Sequence, residues 1–149
     1  MHKLVAKNDY RCNLNLKITF VGYILMIELS KAEFEVLDAL WLSYPATASQ
    51  IIERLSDEKQ WHEKTIKTLL GRLVKKGALS FEKDGRQYIY TPCMERAEYT
   101  LKESQNFIER FFSGRIAPLV SGFAKSEQLS QQDINELKKV IDDWEKQQK

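Results

Sequence analysis

Between His62 and Pro92 the apolar residues change their period once, across a single glycine, and that change limits the folds open to the chain. Ile66, Leu69, Leu70 and Leu73 recur at i, i+3, i+4 and i+7, one stripe of a helix predicted over about 62–76. Gly77 follows as its C-terminal cap, and Lys75 and Lys76 occupy the last turn, where cations suit the helix dipole. Beyond the glycine the period becomes two. Leu79 and Phe81 alternate with polar residues, as do Tyr88 and Tyr90, and Lys83-Asp84-Gly85-Arg86 between them carries an Asp-Gly turn signal. The spacing predicts a hairpin of strands 78–82 and 87–91, ended by Pro92.

Two helices precede this unit. Ser30 and Glu33 have the spacing of a capping box, and Phe34, Leu37, Leu40 and Trp41 follow at helical intervals until Ser43-Tyr44-Pro45 breaks the pattern. Thr47 and Gln50 repeat the cap ahead of Ile51, Ile52 and Leu55, with Ser56-Asp57 as the end. Three helices and then a hairpin is the order of a winged helix-turn-helix, whose last helix enters the major groove while the hairpin touches the DNA backbone. The third helix carries Lys64, Thr65, Lys67, Thr68 and Arg72 away from its apolar stripe, and the hairpin adds Lys83 and Arg86. Long cations neutralise phosphates, and short hydroxyls reach base edges or phosphate oxygens. These seven are the candidate DNA-binding residues, against the alternative of a merely solvated face. Trp41 and Trp61 read as core, and His62 as a phosphate contact or a solvated residue.

From Glu95 the pattern is helical throughout. Leu101, Ile108, Phe111 and Phe112 lie along one helix that Ser113-Gly114 ends, and Ile116, Leu119, Val120 and Phe123 form a second stripe. Ser130 and Asp133 cap a third helix bearing Ile134, Leu137, Ile141 and Trp144, spaced as in helix–helix seams. So short a segment cannot bury three such stripes alone. Pairing with the same region of a second copy is the economical solution, with folding back onto the winged domain as the alternative. The expected organisation is mainly α: residues 26–94 a winged-helix DNA-binding domain and 95–149 a helical dimerisation domain. Residues 1–25 fit neither pattern. They read as an N-terminal extension, either with a strand over 16–27 or with a mis-assigned start and Met26 as initiator.

Composition excludes more than it names. The chain has 149 residues with a net charge of +2, but residues 61–94 alone hold seven basic against three acidic side chains. An electrostatic footprint of that kind is local. Two cysteines, Cys12 and Cys93, and two histidines offer no metal, redox or triad spacing, and no glycine-rich phosphate loop or nucleophile elbow occurs. No cofactor and no enzymatic activity are expected. Cys93 reads as a small packed residue. The longest apolar run, 18–27, is about half a bilayer span, and no cleavage site follows it, so a cytoplasmic protein without membrane insertion is expected.

The run from Leu29 to Trp41, the run Trp61-His-Glu-Lys-Thr-Ile-Lys-Thr-Leu-Leu-Gly-Arg-Leu-Val-Lys-Lys-Gly-Ala-Leu79, then Gly85-Arg86 and Tyr90-Thr91-Pro92, together resemble the penicillinase repressor family. The family includes β-lactamase and methicillin-resistance repressors and copper-responsive relatives. The resemblance covers about 27–144. It implies a homodimeric winged-helix repressor that occupies an operator dyad of double-stranded DNA and is released by an inducing signal. It also implies that Lys64, Thr65, Thr68 and Arg72, with Arg86 in the wing, fall on positions of DNA contact. Antibiotic-responsive members are cut at an Asn-Phe bond under a membrane sensor protease, and Asn106-Phe107 is such a bond here. Gly71 stands where a larger apolar residue is common, implying a looser helix turn, and the cysteine-rich tail of copper-responsive members is absent. A protein–protein adaptor whose basic face binds an acidic partner is the competing reading.

Overall fold

The computed structural model describes residues 27–56 and 61–149, so the expectations placed on 1–26 and at Asp57 lie outside the described residues. The described elements run α1 (Lys31–Trp41), β1 (Ala46–Thr47), α2 (Ala48–Ser56), α3 (Glu63–Lys75), β2 (Leu79–Asp84), β3 (Gln87–Pro92), α4 (Arg96–Phe112), α5 (Ile116–Lys125) and α6 (Gln131–Gln147). The chain divides after Leu101 into two compact units. That division falls inside α4 and not at Glu95, because Tyr99 is buried in the first core, its ring stacked on Phe34 at 5.8 Å.

The first unit closes a core of its own. Ser30 accepts from the Glu33 amide while the Glu33 carboxylate accepts from the Ser30 amide, and α1 starts there as a capping box. Val36, Leu37 and Leu40 of α1, Ile51 of α2, Ile66, Leu70 and Leu73 of α3 and Leu79 of β2 are all fully buried together. Trp41 and Trp61 pack against this core, as their spacing predicts, and the Trp41 indole donates to the Met94 carbonyl at 3.0 Å. At the far end of α1, Arg54 of α2 donates to the Ala39 and Ser43 carbonyls at 3.0 and 2.7 Å, satisfying groups a helix end leaves open.

The sheet has order β1-β3-β2, with β3 central and antiparallel to both neighbours. The two-residue β1 is too short to give a period and has no counterpart in the sequence reading. Its pairs Ala46–Tyr90 and Thr47–Ile89 tie the start of α2 to the hairpin. Asp84 pairs with Gln87, so the loop is Gly85-Arg86 and the strands are longer than expected. Gly85 (φ 58°) occupies the first loop position, which a type II′ turn reserves for glycine.

The second unit is helical, and α6 opens on a Ser130–Asp133 capping box. Among the described residues from 102 onward no apolar side chain is buried. No described helix is long and apolar enough to cross a membrane. Cys93 is disulfide-bonded and is not the free packed thiol that its isolation in the sequence suggests. Sequence separation says nothing of approach in space, and its partner lies outside the described residues.

Candidate nucleic-acid interface

The sequence builds α3 for display. Its buried stripe fixes one side to the core, so the remaining positions must face outward. His62 stands at the N-cap without a side-chain bond, and Glu63 in the first turn suits the positive end of the dipole. At the other end Gly77 (φ 76°) closes a Schellman motif. The Ala78 amide reaches back to the Leu73 carbonyl and the Gly77 amide to Val74, both at 2.9 Å. Gly71 does not loosen this helix. The ladder runs unbroken past it, and a side chain there would meet only open space.

The end of α3 is anchored through a buried carboxylate. Lys76 donates to Glu33 at 2.6 Å and to the Glu28 carbonyl at 2.8 Å, and the Glu33 residue is 3% exposed. Burial pushes the Glu33 carboxyl up. The hydrogen bond and charge of Lys76, with the contacts from Ser30, outweigh that and hold it below the ordinary carboxylate range. The residue that caps α1 thus also ties the C-terminal end of α3 to it.

Lys64, Thr65, Lys67, Thr68 and Arg72 are all exposed, and with His62 and Glu63 they line one open concave face. The Thr68 hydroxyl donates to the Lys64 carbonyl at 2.9 Å, which leaves its oxygen able to accept. Lys67 is paired with Glu63 one turn earlier. Lys64, Arg72, Lys83 and Arg86 form no ion pair with described residues.

A second concavity joins the helix to the wing. It is about 460 Å³ and is lined by Thr47, Ala48 and Ser49 at the start of α2, by Lys67, and by Arg86, Gln87, Tyr88 and Tyr90 of the hairpin. Lys67 and Arg86 therefore meet in one cleft, whereas Lys83, exposed on β2 opposite Tyr88, lines neither concavity. Thr47, Ser49, Gln87 and Tyr88 line this cleft and were not among the candidates that the sequence reading named. The signal for Thr47 was its reciprocal cap with Gln50, in which each accepts from the other's amide at 2.9 and 3.3 Å. Tyr88 is presented by an edge-on contact of its ring with Phe81 at 5.1 Å.

In the second unit the predicted pairing residues separate into two sets. Ile108, Phe112, Leu119, Val120 and Ile134 are half-buried within the unit, while Phe111, Ile116, Phe123, Leu137, Ile141 and Trp144 are exposed. Asn106 and Phe107 lie in the body of α4, with the Phe107 ring 5.0 Å from Phe111 and about half exposed, so it is not a core phenylalanine.

Comparison with known proteins bears on all of these elements. Residues 29–143 match the model of the penicillinase repressor family. The penicillinase repressor of Bacillus licheniformis is 36% identical over 122 residues, covering 82% of this chain and 95% of that protein. The methicillin resistance regulatory protein MecI of Staphylococcus aureus is 39% identical over 114 residues, covering 76% and 93%. A solution structure of monomeric BlaI of Bacillus licheniformis with the blaP half-operator is 40% identical, covering 49% of this chain and 89% of that one, with a TM-score of 0.44. The matched span takes in the three helices, the wing and most of the helical region behind them: this chain belongs to the penicillinase repressor family, which is a family of transcriptional repressors and not of enzymes.

Proposed function

We propose that this chain is a cytoplasmic homodimeric repressor that occupies an operator dyad in double-stranded DNA, using α3 as the recognition helix and the hairpin as the wing. The observation that carries the reading is the outward face of α3. It offers Lys64, Thr65, Thr68 and Arg72 on a rigid helix capped at its C-terminal end and locked to α1, with Arg86 presented beside it by a tight turn. Nothing in that arrangement performs bond chemistry; it neutralises phosphate and presents donors to base edges, so repression follows from occupancy. The relatives named above are a penicillinase repressor and a methicillin-resistance regulator, which supports the same role here.

Arg72→Ala and Lys64→Ala are each expected to weaken duplex binding by about tenfold, the lower part of the range for losing a phosphate or base contact. Neither touches the buried stripe, so stability is expected unchanged. Gel shifts across a salt series check this: wild-type affinity in both variants would show that α3 is not the recognition helix. Affinity for an acidic protein, without preference for a dyad over random duplex, would favour the adaptor reading.

The second unit supplies the pairing. Eight large apolar side chains stand exposed on it, more than an isolated helical unit leaves to water without an interaction to serve. Two wings on one dimer grip two half-sites, and their joint affinity exceeds that of either alone. Scission at Asn106-Phe107 would separate the wings from the pairing helices and so release the operator. The bond is helical, so a protease reaches it only after local opening of α4. With residues 105–108 replaced by a site-specific protease sequence, the cut chain is expected to bind a dyad at least about tenfold more weakly than the uncut chain. Undiminished binding after cutting would remove release by cleavage.

A further inference from the structure

One carboxylate lines the same concave face as Lys64, Lys67, Arg72 and the hydroxyls of Thr65 and Thr68. Glu63 is in the first turn of α3, well exposed, and holds Lys67 in an ion pair. Lys67 differs from the other cations of the surface in two ways. It alone among Lys64, Lys67, Arg72, Lys83 and Arg86 is paired within the described residues, and it alone of these five lines both concavities. It shares the cleft with Arg86 and Tyr88 of the hairpin and with Thr47 and Ser49. Its charge is felt there: burial raises the Tyr90 phenol and Tyr88 adds to the rise, while Lys67 opposes it. The ammonium therefore has two competing uses, the carboxylate on its own helix or a phosphate brought into the cleft. Both members of the pair are more than half exposed, so water and salt keep their attraction weak enough for a polyanion to displace.

We infer that Glu63 is a gate on Lys67: while the pair holds, the chain meets a duplex with one cation withheld from phosphate. The inference rests on the reading of α3 as the DNA-facing helix. It has consequences first for non-specific DNA, where phosphate neutralisation supplies nearly all of the affinity. A repressor with one cation of that cleft engaged by a carboxylate of its own helix is held less tightly by random sequence. Glu63 acts here as a positioning residue, through Lys67, and not as a contact of its own.

The test is a double-mutant cycle on the full chain, read by fluorescence anisotropy with a random-sequence duplex of about 30 base pairs, long enough for two half-sites. Glu63→Gln keeps size and polarity on an exposed position, and circular dichroism is expected to be unchanged. Its affinity is expected to rise about fivefold near 0.1 M salt, and the log–log salt slope to steepen by about 0.9, one further phosphate neutralised. Introduced beside Lys67→Gln, the same change is expected to gain less than about 1.5-fold over Lys67→Gln alone, because the gated cation is gone. An equal gain in both backgrounds would mean that Glu63 merely repels phosphate, and an unchanged slope would mean that it withholds nothing; either overturns the gate. Absence of salt-dependent duplex binding by the unaltered chain would overturn the DNA-binding reading itself, and the gate with it.

Discussion

Leu70 and Ile141 are both branched aliphatic residues on amphipathic helices, yet Leu70 is fully buried and Ile141 is 55% exposed. The first belongs to a unit in which three helices and a sheet enclose one another, so every apolar stripe finds a partner within the chain. The second belongs to a unit whose stripes are as regular but whose side chains remain at the surface. Periodicity reports that a face is apolar; it does not report what covers it. The difference is one of cover: the first unit buries its apolar stripes within itself, whereas α5 and α6 leave large apolar side chains at the surface.

Substitutions break this comparison most sharply in the closed unit. Leu70→Ala removes a fully buried side chain from the centre of α3 and is expected to cost about 2–5 kcal/mol by lost transfer and cavity formation. Urea unfolding at a protein concentration held fixed measures it, and a loss below about 1 kcal/mol would mean that the core can collapse around the gap. A smaller effect comes from acid. The folded Glu33 carboxyl lies below its ordinary value of 4.5. Its stabilising contribution is therefore complete above that ordinary value and is lost as pH falls through the lower, folded one. The melting temperature of the unaltered chain is expected to drop over that window, and Glu33→Gln to flatten that limb of the curve. A limb equally steep in the variant would assign it to other carboxylates.

How far the fold was legible follows the same division between local and distant causes. The helix α3, its glycine stop, both capping boxes and the hairpin are written in residues no more than a few positions apart, and each stands where the spacing puts it. The turn shows the limit of that reading: Asp84-Gly85 marked the place, but the first strand pairs two residues further and leaves Gly85-Arg86 as the loop. Glu33 was legible as a capping side chain, whereas its bond to Lys76 joins residues 43 positions apart, which no local pattern records. The same holds for Arg54 on the end of α1 and for Thr47 and Ser49 beneath the wing. Of the candidate interface, the cations on α3 could be read from helical phase alone. The cleft that joins Lys67 to Arg86 could not, since it depends on β1, a strand of two residues.

A second copy covering the apolar surface of the second unit would give the proposed repressor its two wings. Sedimentation of the full chain at micromolar concentration tests it directly, beside Ile141→Asp, which would place a charge in the proposed seam. A mass of twice 17.5 kDa, about 35 kDa, is expected for the unaltered chain and 17.5 kDa for the variant, with the fold of both intact by circular dichroism. A monomeric unaltered chain, or a dimer of unchanged strength in Ile141→Asp, would contradict it.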